Sequence, residues 1–489
     1  MSLTVALVVG IALVASASAA ILRKLQVRMP AIVIVISGLA LYGLYFSYTS
    51  WSERNPDAVS HLAYVQYVAA HRAIPSNADC SVCHHPPLYY VAAAAAYRAF
   101  QAAGSGEPAL GPQMLSFLLF TGFVLMSAVA IRRLAPDGRA QDLATALVVF
   151  WPSSVLNSHR VSNDVMLYAV AAGVLLCLVR WWQKPAASML WAASGLAVVG
   201  MFTKANGLVL SALVVAVALA GLWRSDDRRS LGRAMAPALV ALLLVSALHG
   251  LIRGSRSASL PLNVLGSAYT NSAEQAIKPT LRYYCTFQPW SFVTAPYATA
   301  RRFRSEEPTF WNHLLKSSLL GTHNVMPVHL PAPEPDQRLA RAMNVALLAM
   351  LSWMGSGLLL GRASRSAART FCLVATAVFV SAALVFHVFV PYGFHADFRF
   401  IFPAIVPAAV LYAHGVEDVR KRALRLWPVG FGLAGVFVLL SIAYFLPMTW
   451  TPTPHRTVVA AGAVPPASAS APAASSSPRP VLRLPRPFR

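Results

Sequence analysis

Charge is what this chain has least of. Only 12% of its 489 residues are Asp, Glu, Lys or Arg, against 57% hydrophobic, and the mean hydropathy is +0.57. That excludes a soluble globular protein, whose surface needs roughly a quarter of its residues charged. Acidic residues are scarcer still, 17 against 40 Lys and Arg. The resulting basic excess excludes a nucleic-acid binder by its distribution. Such a protein gathers its cations in one stripe or patch, whereas here they fall in short clusters between apolar runs. Positive charge is also missing ahead of the first apolar run, Leu3 to Ala20, while Arg23, Lys24 and Arg28 follow it. The string ASASAA at its end resembles a signal-peptide cleavage site, but the charge order is the reverse of a signal. The run therefore reads as a membrane helix with its N-terminus outside.

What is present is apolar sequence in lengths of roughly 18 to 22 residues, enough to span a bilayer. After Ala31 to Tyr48 come runs at about 86–103, 113–131, 143–157, 165–180, 187–203, 207–223, 234–252, 341–360, 371–390, 399–414 and 427–446. The expected fold class is an all-α polytopic membrane protein of about 12–13 transmembrane helices. Basic clusters at Arg180 and Lys184, Arg224 to Arg233, Arg362 to Arg369 and Arg420 to Arg425 mark inside loops, by the excess of Lys and Arg on cytoplasmic segments. Counting crossings from them puts Asp57, Asp164, Lys204, residues 253–338 and His395 to Arg399 on one outer face. Three runs between Asp57 and Asp164 are one too many, so one cannot cross. Arg132, Arg133 and Arg139 point to 86–103, with 143–157 the alternative. Residues 307–320 (EPTFWNHLLKSSLL) have helical amphipathic spacing and are expected to lie on the membrane surface. The tail from 457 to 489, rich in Pro, Ala and Ser, is expected to be disordered.

Polar groups concentrate between Asn55 and Tyr90, where four histidines, a Pro pair and a Cys pair accompany Asp57. Such groups near a bilayer cost free energy unless paired or used. Helical spacing would put Asp57, His61 and Tyr64 on one face. Asp57 also follows Pro56, the pattern of an ordinary helix start, and spacing alone does not separate the two readings. Cys80 and Cys83 are expected to form a disulfide on an oxidising face. A thiolate metal site with His84 or His85 is the alternative. The string CSVCH formally matches a haem c attachment pattern, but no haem pocket accompanies it. Cys177 and Cys372 read as packed residues in helices, and Cys285 as free. Lys204 and Arg399 admit a plain reading as cations snorkelling from helix ends. Asp164 admits one as a helix cap, and His395 and Asp397 one as a bonded pair in a tight turn.

The PD of the first loop, the His four residues on, HHPPLYY, NSHRVSND, GMFTKANG, FWNHLLKSSLLG and ADFRFIFPAIVP occur in the order found in C-type multi-pass glycosyltransferases. In this the chain resembles the bacterial relatives of protein O-mannosyltransferases and of lipid A aminoarabinose transferases. The resemblance implies inverting transfer of a sugar from a polyprenyl-phosphate donor to a lipid, glycan or protein hydroxyl at the outer face of a bacterial inner membrane. It implies Asp57 as the base, helped by His61, and Arg399, Lys204 and Arg160 as phosphate-binding cations. His85, Tyr89, Tyr90, Asp164 and His395 would line the substrate pocket. The family's paired acid is absent here, since Ala58 follows Asp57. Metal dependence stays open, so a divalent metal remains a candidate cofactor. No P-loop or Rossmann glycine pattern supports a nucleotide-sugar donor. The leading alternative, a transporter or flippase for a lipid-linked sugar, calls for internal repeats or midplane polar groups, and the sequence offers neither.

Overall fold

The computed structural model describes residues 3–52, 55, 57–76, 79–254, 279–299, 309–323, 337–361, 366–422 and 425–449. The tail expected to be disordered, and Arg362 and Arg365, lie outside the described residues. Within them the protein is all-α, apart from a two-residue parallel bridge, Ala298–Thr299 with Thr322–His323. It is an integral multi-pass membrane protein: nine helices among the described residues are long and apolar enough to cross a membrane.

The chain opens with α1 (Leu3–Lys24) and α2 (Met29–Tyr48), joined by a turn carrying Arg28. Pro30 sits in the first turn of α2, where its missing N–H costs nothing. Next come α3 (Ala58–His71) and α4 (Leu88–Ala102), packed on each other around Tyr64, Tyr89 and Tyr90 in an apolar cluster of their own. α5 (Leu110–Leu134) follows, then α6 (Gly138–Phe150) and the short α7 (Pro152–Asn157). The Asp137 carboxylate caps α6 by accepting from the Ala140 N–H at 2.8 Å. Pro152 ends its ladder, because proline offers no N–H. α8 (Asn163–Gln183), capped by Ser162, α9 (Ala187–Thr203), α10 (Leu208–Arg224) and α11 (Arg228–Gly254) continue the bundle. Short helices α12 (Leu281–Cys285) and α13 (Pro289–Thr294) precede α14 (Phe310–Leu320). The remainder is α15 (Gln337–Leu360), α16 (Ala367–Phe389), a 3-10 segment Phe398–Ala404, α17 (Ile405–Arg422) and α18 (Trp427–Phe445).

Two ends are defined by contacts. At one, Arg28 pairs with Asp142 at 2.8 Å, Arg132 donates to the Leu25 carbonyl, Arg133 to Gln183 Oε1 and Arg369 to Asp418. This basic end collects the clusters expected on one side. Asp57, Asp164, Lys204 and Arg399 occupy the other. α5 runs between the ends, α6 with α7 returns, and the 15-residue α4 packs on α3. The 17-residue α9 is apolar too but shorter than the nine membrane-length helices.

The expected surface helix is corrected by the structure. α14 forms, but Phe310, Asn312, His313, Leu314, Lys316, Ser317, Ser318, Leu319 and Leu320 are all buried. Its polar side faces protein rather than headgroups: the Asn312 side chain donates to the Gln288 carbonyl and accepts from the Gln288 N–H, both at 2.9 Å. Amphipathic spacing reports a polar partner, and here that partner is backbone.

α15 and α17 cross at Gly357 and Gly415, where a Cβ on Gly357 would meet the Gly415 carbonyl oxygen at 2.4 Å. Small residues allow such close helix crossings in membranes. Gly357→Ala should therefore cost about 1–3 kcal/mol by overpacking. Gly355→Ala, with nothing within 4 Å of its Cβ, should be neutral or better. Thermal unfolding of the two variants in detergent checks the contrast.

Candidate active site

The site is assembled from four chain segments that stop short of the bundle's end. Asp57 occupies the N-cap position of α3, yet its carboxylate makes no capping hydrogen bond. It instead accepts from the Arg399 guanidinium at 2.8 Å. This separates the two readings that spacing left level: Asp57 is held for a partner across the molecule and not for the start of its own helix. Asn55, just before it, donates to the Val161 carbonyl at 3.3 Å and ties the first loop to the turn that begins α8.

Arg399 can reach Asp57 because α17 does not start at once. Asp397 caps the Phe398–Ala404 segment through the Arg399 N–H at 2.9 Å, and Ile401 leaves helical geometry before Pro403. The Arg399 side chain thus leaves an irregular turn, with its Nε 3.7 Å from the Asp397 carboxylate and its guanidinium 5.1 Å from the Phe400 ring. Its carbonyl accepts from the Tyr168 hydroxyl at 2.9 Å, which fixes the turn to α8.

The second charged pair lies beside the first. Lys204 Nζ is 2.5 Å from Asp164 Oδ1, and both side chains are only 7% exposed. Lys204 also stands 5.2 Å over Phe400, the ring that Arg399 approaches. Ser162 is the actual cap of α8 and donates its hydroxyl to Asp164 Oδ2 at 3.1 Å. Asp164 is therefore no simple cap, and Lys204 does not snorkel. Arg160, two residues before Ser162, donates to Asn157 Oδ1 at 3.1 Å. It stands near Gly321 at the end of α14, whose Cβ position would be 3.5 Å from the guanidinium.

Electrostatics follow from this layout. Burial alone would raise the Asp57 carboxyl, but Arg399, and after it His61 and Lys204, outweigh it and hold the group well below the usual carboxylate range. Burial dominates at His61, pushing its imidazole down to about 4 and leaving it neutral near pH 7. His61 Nδ1 pairs with the Tyr90 hydroxyl at 2.8 Å, and Tyr90 stacks on Tyr64 at 3.8 Å between ring centres.

Two expectations need correction. Tyr89 and Tyr90 do not line an open pocket: both are wholly buried, with the Tyr89 hydroxyl bonded to Ser116 and that of Tyr90 to His61. A buried phenol needs a partner for its hydroxyl, and these partners are internal. His395 and Asp397 do not bond each other. His395 pairs with the Val390 carbonyl at 2.9 Å and packs against Phe386, with burial pushing its imidazole to about 4. His85 stacks loosely on His61, with ring centres 6.1 Å apart. Cys80 and Cys83 are joined in a disulfide, Cys177 and Cys372 are free in helices, and Cys285 is free and exposed. No group of three or more His, Cys, Asp or Glu fit to hold a metal ion occurs among the described residues. Asp397, Tyr168 and Asn55 were missed as contributors. Only the Asp two residues before Arg399 had a readable signal, that of a local cap.

The buried Lys204–Asp164 pair generates a stability prediction. Lys204→Met leaves the Asp164 carboxylate uncompensated and should cost about 3–5 kcal/mol. Adding Asp164→Leu should restore most of it. A double-mutant cycle of thermal unfolding measures the coupling.

No family model matches the sequence, and no curated protein matches it. Among solved structures the chain is similar to ArnT from Cupriavidus metallidurans bound to undecaprenyl phosphate. The two share 15% identity at a TM-score of 0.35, over 84% of this chain and 77% of the other.

Proposed function

We propose that the protein is a glycosyltransferase that moves a sugar, with inversion, from a polyprenyl-phosphate donor to a hydroxyl on a lipid, glycan or protein. One observation carries this reading: the Asp57–Arg399 pair, with Lys204–Asp164 beside it, gathers acids and cations from four distant segments at the end of a membrane bundle. Nothing in bundle packing requires that gathering, since ionised groups at membrane depth mark function by default. The site is taken to face the periplasm of a bacterial inner membrane, in keeping with the excess of Lys and Arg at the opposite end.

The chemistry divides between the two kinds of group. Displacement at an anomeric carbon needs a base within hydrogen-bond reach of the attacking hydroxyl. Asp57, at 41% side-chain exposure the most open of the four paired groups, takes that proton. His61, neutral and one turn along α3, orients the acceptor. The departing lipid phosphate needs no proton but needs cations where its charge collects. Arg399 presents a planar fork suited to two phosphate oxygens, and Lys204 and Arg160 supply further positive charge. Asp164 and His395 shape the pocket behind them, and His85 its rim. Loading the donor transfers Arg399 from carboxylate to phosphate, which lets the Asp57 carboxyl rise towards its ordinary value and strengthens it as a base.

The test joins genetics and mass measurement. Deleting the gene should remove one sugar mass from a surface lipid, glycan or protein, and the native gene should restore it. Asp57→Asn should insert and fold normally yet cut transfer by at least about a hundredfold, the size of a lost general base. Full complementation by Asp57→Asn would end the assignment of the base.

A further inference from the structure

The mechanism uses Arg399 but does not explain what holds a long, flexible cation at one angle. Its Asp57 partner is half-exposed and cannot be the anchor. Asp397 is only 6% exposed in its side chain, and both of its oxygens are engaged. Oδ1 accepts from the Arg399 N–H, and Oδ2 accepts from the Thr322 hydroxyl at 2.7 Å. Thr322 is 75 residues away, just after α14, and its hydroxyl also lies 3.4 Å from His313 Nε2.

Donor and acceptor counts give this chain a direction. A carboxylate only accepts, so the single Thr322 proton goes to Asp397, and the Thr322 oxygen is left to accept. His313 then carries its proton on Nε2 and donates it to Thr322. Burial, the leading cause, pushes the His313 imidazole down to about 4, so one ring nitrogen stays bare. Nδ1 is that nitrogen, and it is buried without a hydrogen-bond partner. The same helix grips the turn a second time, where Ser317 Oγ accepts from the Phe398 N–H at 2.9 Å. Gly321, at φ +69°, provides the turn that brings Thr322 back toward Asp397. A side chain there would be strained in that left-handed backbone.

We propose that Thr322 is a positioning residue for Arg399: its hydroxyl, oriented by His313, fixes the Asp397 carboxylate, and Asp397 fixes the guanidinium that faces Asp57. The large loop therefore sets the geometry of the Asp57–Arg399 pair. The functional part of this inference rests on the reading of Arg399 as the phosphate-binding cation. The structural part does not.

The test uses the full chain in lipid nanodiscs, with Thr322→Val removing the hydroxyl at nearly constant volume and Thr322→Ser keeping it. The Asp57 carboxyl, identified by its absence in Asp57→Asn, is titrated by infrared spectroscopy, and undecaprenyl phosphate is the binding probe. Arg399, His61 and Lys204 are the charged or titratable groups acting on Asp57, and none is altered in these variants. Thr322→Val should raise the Asp57 titration midpoint, in the same direction as Arg399→Ala. It should also weaken probe binding about tenfold, the cost of one hydrogen bond to a charged group. Thr322→Ser should restore both. An Asp57 midpoint unmoved by Thr322→Val, while Arg399→Ala moves it, overturns the proposal. Probe binding unchanged in Arg399→Ala overturns the phosphate reading instead, and the titration still decides the role of Thr322. Should Thr322→Val elute as aggregate, Thr322→Ala supplies the same comparison.

Discussion

A guanidinium is charged at every accessible pH and cannot shed that charge to escape a medium of low dielectric. Once Arg399 is placed at the end of α17, among Phe400, Tyr168 and the α14 segment, the chain must bring it anions. Asp397 comes from two residues away, and Asp57 from 342 residues away. Much of the architecture at this end answers to that requirement. The irregular Phe398–Ala404 segment lets the side chain leave the helix line, and Tyr168 and Ser317 both hold the segment's backbone. The first loop is fastened at Asn55 so that Asp57 arrives where it is needed.

The other end obeys a looser rule. Pairs such as Arg28 with Asp142, or Lys421 with Glu417, are exposed enough for solvent to screen them, while Arg369 with Asp418 is covered. The same residue types are thus screened to different degrees from pair to pair, because the solvent cover around each differs.

Hydropathy made the spans legible, because a run of about twenty apolar residues has few alternatives in water or lipid. The segregation of Arg and Lys located the ends. It also marked residues 86–103, with 143–157 as the alternative, as a run expected not to cross, which a count of apolar residues alone would have passed as a helix like the others. Asp57 was readable as important but not as paired, since its partner is more than three hundred residues away and no periodicity reaches that far. Tyr89 shows the opposite failure. An aromatic beside a histidine cluster looks like a pocket wall, and only its hydrogen bond to Ser116 places it in the packing. In α14 the pattern was right and the inference from it wrong, because sequence cannot tell a polar face turned to water from one turned to backbone.

The two charged pairs at the site are chemically alike and differ in cover. Lys204 and Asp164 are sealed, and parting them would strand both ions in apolar surroundings. Arg399 is 19% and Asp57 41% exposed in their side chains, so water can take over each half as they separate. The site therefore has a hinge-like asymmetry in its charges, with one couple serving as ballast and the other able to change partners at modest cost. Any exchange of ions at this end of the molecule starts from the exposed couple and leaves the sealed one as its fixed reference.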